Sequence, residues 1–265
     1  MAQQELGSGD TRRKPIALGG ALVTMVEPHR GHEVAYNRWY ERDHFYAGCL
    51  IGAWTISGAR YVATADLKKL RYPERSPVCP DPTSGSYVSI YWILAGKFGE
   101  WMKWGTDQVN WLHANDRMFE HRDHIHTVMY RFRGEFPGHA DAVPVELALD
   151  HRSPYLVMVV AEPADGVELD AVDEWFRARD LGAEVMAEFT PVPLQGDAPK
   201  DVPRDSAANR FTQLYFVDDD LPAVWDAKFA SLGADLERDG IGRAVFVSPF
   251  RATVPGTDTY TDQLW

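Results

Sequence analysis

The chain has 265 residues, enough for one large core or two small ones, and its 45% hydrophobic and 12% aromatic content is that of a folded globular protein rather than a disordered one. A formal charge of −12 argues against a nucleic-acid or anionic-membrane surface, because those partners need clustered Lys and Arg. Residues 1–14 are polar and the apolar runs are strand-sized, so a cytoplasmic setting is expected, with neither nucleic acid nor membrane as partner.

Residues 1–15 read as a tail. Ile16 to Glu27 reads as a buried strand, and Pro28-His29-Arg30-Gly31 turns the chain into a helix from about His32 to Cys49. A second strand is expected near Trp54 to Thr64. The segment Ala65 to Ser86 is rich in proline and charge and longer than a hairpin needs, so it reads as a lid over something. Tyr87 to Ala95 is the third strand, with Val88, Ile90, Trp92 and Leu94 on one face and Tyr87, Tyr91 and Ile93 on the other. A helix over Glu100 to Phe119 and a strand over His124 to Phe132 follow, then a connection over 134–153. The pattern restarts with strand Tyr155 to Glu162, helix Leu169 to Ala183 and strand Val185 to Val192. Loop Pro193 to Asn209, strand Arg210 to Val217, helix Leu221 to Leu236 and strand Arg243 to Phe250 complete it, and 253–265 reads as a second tail.

The restart looks like a duplication. Trp39-Tyr40 is echoed by Trp175-Phe176 at an offset of 136, and Tyr91-Trp92 with Trp101 is echoed by Tyr215-Phe216 with Trp225 at an offset of 124, which places the length change between the second and third strands. Each half, 16–133 and 154–252, reads as a βαββαβ unit whose sheet has one helix-covered face and one bare apolar face. The fold class is therefore α+β, two tandem ferredoxin-like repeats packed sheet to sheet as a barrel-like pseudo-dimer. A tandem chain closes its own barrel, so a homodimer is possible but not demanded.

All nine histidines lie at or before His151, which directs the search for chemistry to the first half. Tyr36, Tyr40 and His44 fall at i, i+4 and i+8, and the second half has Phe176 and Asp180 at the positions of Tyr40 and His44. The reading is an acid/base pair, His44 titrating near neutral pH and Tyr40 donating a hydrogen bond, with Asp43 or a nearby carboxylate setting the imidazole tautomer. A core aromatic with a helix-end histidine is the structural alternative. Trp101, Trp104, Gln108, Trp111 and Asn115 form a second stripe, and with Trp39 and Trp92 they suggest an aromatic-walled pocket for a small hydrophobic or aromatic molecule; a bulky tryptophan core is the alternative. Buried Gln108 must bond either the backbone or something in a cavity.

His124 and His126, at i and i+2 on a strand, would share a face and with His121 are weak candidates for a metal; haem through His113, His44 or His124 is a further alternative. Cys49 and Cys79 have no ligand spacing and receive no role. Nucleotide, zinc-protease and hydrolase-elbow motifs are absent, so chemistry on side chains alone, with no cofactor, is expected.

The segment His32 to His44, with its Tyr36, Trp39-Tyr40 pair and following histidine, resembles the opening motif of EthD-like members of the dimeric α/β-barrel superfamily. Two departures stand out: Phe45-Tyr46 follow His44 where the family commonly has a proline, and the second half lacks the histidine. The resemblance implies one active pocket per chain, with His44 as acid/base residue beside Tyr40 and Trp39. Relatives are similar to cofactor-independent polyketide cyclases, isomerases and quinone-forming monooxygenases, and other branches bind haem. The expected function is a cofactor-independent lyase, isomerase or cyclase acting next to a carbonyl in an aromatic or polyketide-like substrate. The alternatives are a non-catalytic hydrophobic-ligand carrier or stress-type protein, a cofactor-free monooxygenase and a haem-binding protein.

Overall fold

The computed structural model describes residues 16–193 and 209–265; most of the expected 193–209 loop and the whole 1–15 tail lie outside them. In chain order the elements are β1 (Leu18–Pro28), α1 (Glu33–Trp39), β2 (Thr55–Val62), α2 (Ala65–Lys68), β3 (Tyr87–Leu94), α3 (Phe98–Ala114), β4 (Arg122–Pro137) and α4 (Ala148–His151). There follow β5 (Tyr155–Pro163), α5 (Leu169–Arg177), β6 (Val185–Val192), β7 (Phe211–Val217), α6 (Leu221–Lys228), α7 (Leu232–Arg238) and β8 (Gly242–Ala252).

The eight strands close into one antiparallel barrel in the order β1-β3-β2-β8-β5-β7-β6-β4. Each half contributes the ferredoxin-like order, β4-β1-β3-β2 and β6-β7-β5-β8, so the two bare faces meet as the lumen. Strict alternation along β3 decides which side chains go where. Val88, Ile90 and Trp92 enter the lumen with Tyr61, Tyr130, Phe189, Phe216 and Phe250, while Tyr87, Tyr91 and Ile93 face the helices of the first half. The lumen is a packed core, and a helix-covered layer lies outside each half.

Four departures from the sequence reading have physical causes. The first helix does not run as one α-helix to Cys49: after α1 the chain widens into a π-helical segment, Tyr40–Leu50, whose second-half counterpart does not exist because α5 stops at Arg177. Arg60 pairs with Ser89 and Glu188 with Gln213, so eight of the twelve missing residues fall between the first helix and second strand, and four between the second and third strands. The π segment accounts for the larger part.

The expected lid over 65–86 folds instead across the end of the lumen. Val78 and Cys79 join the core, and buried Arg71 donates to Ser248 Oγ (2.7 Å) and to the carbonyls of Gly85 (2.7 Å) and Pro82 (3.1 Å). The expected tail 253–265 is packed: Leu264 is buried beside Tyr36 and Tyr87, and Asn37 donates to the Thr257 carbonyl (2.9 Å), strapping the chain end over α1.

The two seams between halves differ. Strands β4 and β6 pair along eight positions, from Met129 opposite Val192 to Pro137 opposite Val185. Strands β2 and β8 pair at only two, Tyr61 with Ala252 and Val62 with Arg251, and beyond these the Thr253 N–H and hydroxyl donate to the Arg60 carbonyl (both 3.2 Å).

Candidate functional site

The opening left by the short seam is a cavity of about 460 Å³. It is lined from the π segment by Glu41, Arg42, Phe45 and Tyr46, from β2 by residues including Arg60, by Arg152 after α4, and by Thr253 to Gly256 where the chain leaves β8. None of the nine histidines lines it.

Arg60 connects this cavity to the aromatic layer under α1. Its side chain is almost fully enclosed and its guanidinium lies over the rings of Tyr40 (4.5 Å) and Tyr87 (5.0 Å), a cation–π arrangement in a dry setting. Nη1 donates to Asn37 Oδ1 (3.1 Å) and pairs with Glu41 Oε1 (3.2 Å), whose other oxygen accepts the Gly256 N–H (2.9 Å). Nε and Nη2 have no hydrogen-bond partner, and neither do the Tyr36 and Tyr87 hydroxyls or His44 Nδ1. Each such buried group costs about 1–3 kcal/mol, and five of them on one contiguous patch form a concentration that packing alone does not call for.

Tyr36 and Tyr40 both pack against the sheet, and the Tyr40 hydroxyl pairs with that of Tyr91 at 3.0 Å. Burial raises the Tyr40 phenol pKa. The wide π turn carries His44 off the predicted stripe to stack on Trp39 five residues earlier, with centroids 4.5 Å apart and planes 17° apart, while its edge meets Tyr40 at 5.3 Å. Gly48 makes room for the ring, since a Cβ there would stand 3.0 Å from Cε1.

His44 does not titrate near neutrality as expected. Burial, reinforced by the positive fields of Arg122, His124, His113 and Arg117, lowers its pKa to about 3, so it is a neutral imidazole at pH 7. Asp43 does not orient it: the carboxylate pairs with Arg117.

The tryptophan stripe does not gather into a pocket wall. Trp92 lies on the far side of the sheet, donating to the Val145 carbonyl (3.0 Å) inside the lumen. Trp101 donates to Thr55 Oγ1 (2.7 Å), Trp104 covers Gly52, and Trp39 donates to the Arg117 carbonyl (3.0 Å). Gln108 takes the backbone option, bonding the Ala47 carbonyl (2.7 Å) and tying α3 to the π segment. Trp111 is 49% exposed, and Asn115 bonds the Trp111 carbonyl on the surface.

A bulge in β4 opposite Met25 and Val26 separates the expected histidine pair. His124 turns to Thr127 Oγ1 (3.0 Å), whereas His126 is buried against the Tyr130 hydroxyl (2.9 Å), and His121 stacks on His32 (3.7 Å). Among the described residues no cluster of three His, Cys, Asp or Glu could hold a metal ion. Cys49 and Cys79 are free thiols.

Neither Arg60 nor Glu41 is among the residues that carry a sequence motif. The available signal was Arg60 itself, a lone charge in the run Tyr-Val-Ala on one side and Ser-Gly-Ala on the other, at a position whose neighbours in register are buried.

No protein-family model and no curated protein matches the chain. Solved structures of similar fold do. A protein carrying a provisional chlorite dismutase assignment superposes with a TM-score of 0.54 at 14% identity, over 94% of this chain and 100% of that one. Two variants of DypB from Rhodococcus jostii RHA1, both in complex with haem, superpose at TM-scores of 0.51 and 0.50 with 10% identity, covering 93% of this chain and 94% and 96% of theirs.

The haem of those DypB structures prompts a test of fit here. The second half has no histidine beyond His151, and its helix–sheet layer is filled by Val172, Trp175, Phe176, Trp225 and Phe229. In the first half the cavity contains no histidine, and the His44 ring is enclosed between Trp39 and Gly48. Neither the seam cavity nor the helix–sheet layer of the second half offers a haem a histidine ligand. No helix among the described residues is long and apolar enough to cross a membrane. The chain thus has the dimeric α/β-barrel fold, closed from two ferredoxin-like halves of a single polypeptide, and its resemblance to the solved structures is one of fold.

Proposed function

We propose that the protein is a cofactor-independent enzyme that moves a proton at a carbon beside a carbonyl in a small, largely apolar molecule, with its working site in the first half. The observation that carries this reading is Arg60, a residue that lines the seam cavity and whose enclosed guanidinium keeps two donors without a partner. A cation held in a dry aromatic setting stabilises an oxygen that gains negative charge as an enolate forms. Glu41, 3.2 Å from Arg60 and lining the same cavity, is the carboxylate placed to take the proton. Tyr40 and His44 stand behind: Tyr40 supports the guanidinium with its ring, and neutral His44 fixes the π segment against Trp39. The lyase, isomerase or cyclase character and the EthD-like kinship belong to this proposal, as does descent of the two halves from one duplicated unit.

The test is deuterium uptake by 2-tetralone, an aromatic ketone with acidic α-hydrogens, followed by proton NMR in D₂O. The wild-type protein is expected to accelerate uptake over buffer, and Glu41→Gln to lower that acceleration by about 10²-fold. No acceleration by the wild-type protein favours a second reading, a hydrophobic-ligand carrier. That reading draws on the depressed His44 pKa and on the engagement of the Tyr40 hydroxyl with Tyr91, both of which leave these side chains without an acid/base role.

A further inference from the structure

The geometry points to an organic anion with an apolar body, a hydrophobic carboxylate or its phenolate equivalent, as the ligand of the seam cavity. The inference deepens the proposed function and rests on this cavity being its ligand site.

Three features argue for it independently of the reaction. The first is charge. The chain as a whole carries −12, yet the cavity is lined by three arginines, Arg42, Arg60 and Arg152, against one carboxylate, Glu41. A concave positive site on an acidic protein concentrates the field on small anions and leaves polyanions repelled by the surrounding surface.

The second is the depth profile. Of the three lining arginines, Arg60 is buried with two N–H groups unpartnered, whereas Arg42 and Arg152 are exposed. Arg152 occupies the residue after α4 with φ 61°, a left-handed conformation that costs a side-chain-bearing residue about 1–2 kcal/mol. Glycine is the usual residue at such a helix end. An arginine, not a glycine, holds this position beside the cavity.

The third is the apolar lining. Tyr46, 50% exposed, and Val254, 44% exposed, are large hydrophobic residues open to water on this one rim, and Phe45 and Pro255 continue the apolar wall. A ligand with an aromatic body would cover them, while its anionic end meets the arginines.

The experiment compares 2-naphthoate with 2-acetylnaphthalene, which has the same ring system and a neutral ketone in place of the carboxylate. Titration calorimetry on the full chain is expected to show naphthoate binding about tenfold tighter, the scale of two partly exposed ion pairs. Raising the salt concentration should shrink that ratio, because only the anion is screened. In the double variant Arg42→Gln/Arg152→Gln, both changes being on the surface, the ratio should fall toward one. Equal affinities in the wild-type protein, or a ratio untouched by salt and by the double variant, would overturn the anion inference while leaving ketone exchange at Glu41 open. Binding of neither compound would overturn it too. Naphthoate binding without any 2-tetralone exchange would uphold the ligand class and remove the enzyme reading.

Discussion

Arg60 and Glu188 occupy the same place in the two halves of the barrel. Each sits on the second strand of its unit, opposite the register-equivalent residues Ser89 and Gln213, and each points into the layer under its helix. In the second half the charge is closed off. Glu188 accepts from Arg133 Nε (2.8 Å) and Gln213 Nε2 (2.6 Å), Tyr215 donates to Gln213 Oε1 (2.6 Å), and Phe176 stands where the first half has Tyr40. Of that group only Asp173 Oδ1 lacks a partner. In the first half the charge is inverted, its partners are incomplete, and the adjoining seam is splayed into a cavity. One half encloses its buried carboxyl in a hydrogen-bond network, and the other leaves its buried guanidinium with donors unpartnered, as expected of a site preorganised for charge that arrives with a ligand.

The largest effect that tests this contrast is on stability. Arg133→Ala removes the guanidinium from a buried carboxylate and should cost about 3–5 kcal/mol in urea unfolding. Arg60→Met should cost less, about 1–2 kcal/mol, because the two unsatisfied donors it removes partly offset its lost bonds to Glu41 and Asn37, and the packing volume is kept. Comparable losses in the two variants would break the assignment of different roles.

A smaller effect is expected at Gly48. Gly48→Ala brings a methyl against the His44 ring and should cost about 1–3 kcal/mol while moving the His44 imidazole resonances in NMR spectra. Unmoved resonances would mean that the π segment does not clamp the ring.

The pH dependence differs in sign between the halves. His44, with a pKa near 3, and His126, near 4, lie below the ordinary histidine value of 6.5, so the unfolded chain takes up protons first and stability falls as pH drops from about 6.5 toward 4. Burial raises Glu188 from 4.5 to about 7, so its contribution is present below 4.5 and is lost as pH rises toward and through 7. Thermal melts should show His126→Gln flattening the acid limb and Glu188→Gln flattening the neutral one. An acid limb unchanged by His126→Gln would contradict the histidine assignment.

Much of the scaffold was legible in the sequence because it follows from alternation. The two faces of β3 were assigned by a period of two, and the Trp39/Trp175 and Trp101/Trp225 echoes located equivalent helices whose units do share one strand order. The site was less legible. A period of 3.6 aligned Tyr36, Tyr40 and His44, but the π segment turns more widely and brings His44 to Trp39 instead. Parity within β3 also placed Trp92 on the face away from Tyr40, so the stripe that seemed to share a pocket is divided by the sheet. The bulge that parts His124 from His126 and the unequal seams are products of strand pairing between distant segments, which local spacing does not encode. Arg60 was visible as a lone charge in an apolar strand, a signal of a buried charge needing a partner.

The most direct test of the account is the 2-tetralone exchange rate measured side by side for the wild-type protein, Arg60→Met and Glu188→Gln, each shown to be folded by its melting transition. The account predicts exchange in the wild-type protein, retained in Glu188→Gln and lowered by about 10²-fold in Arg60→Met. Exchange that survives the loss of Arg60, or that disappears with Glu188 instead, would contradict it.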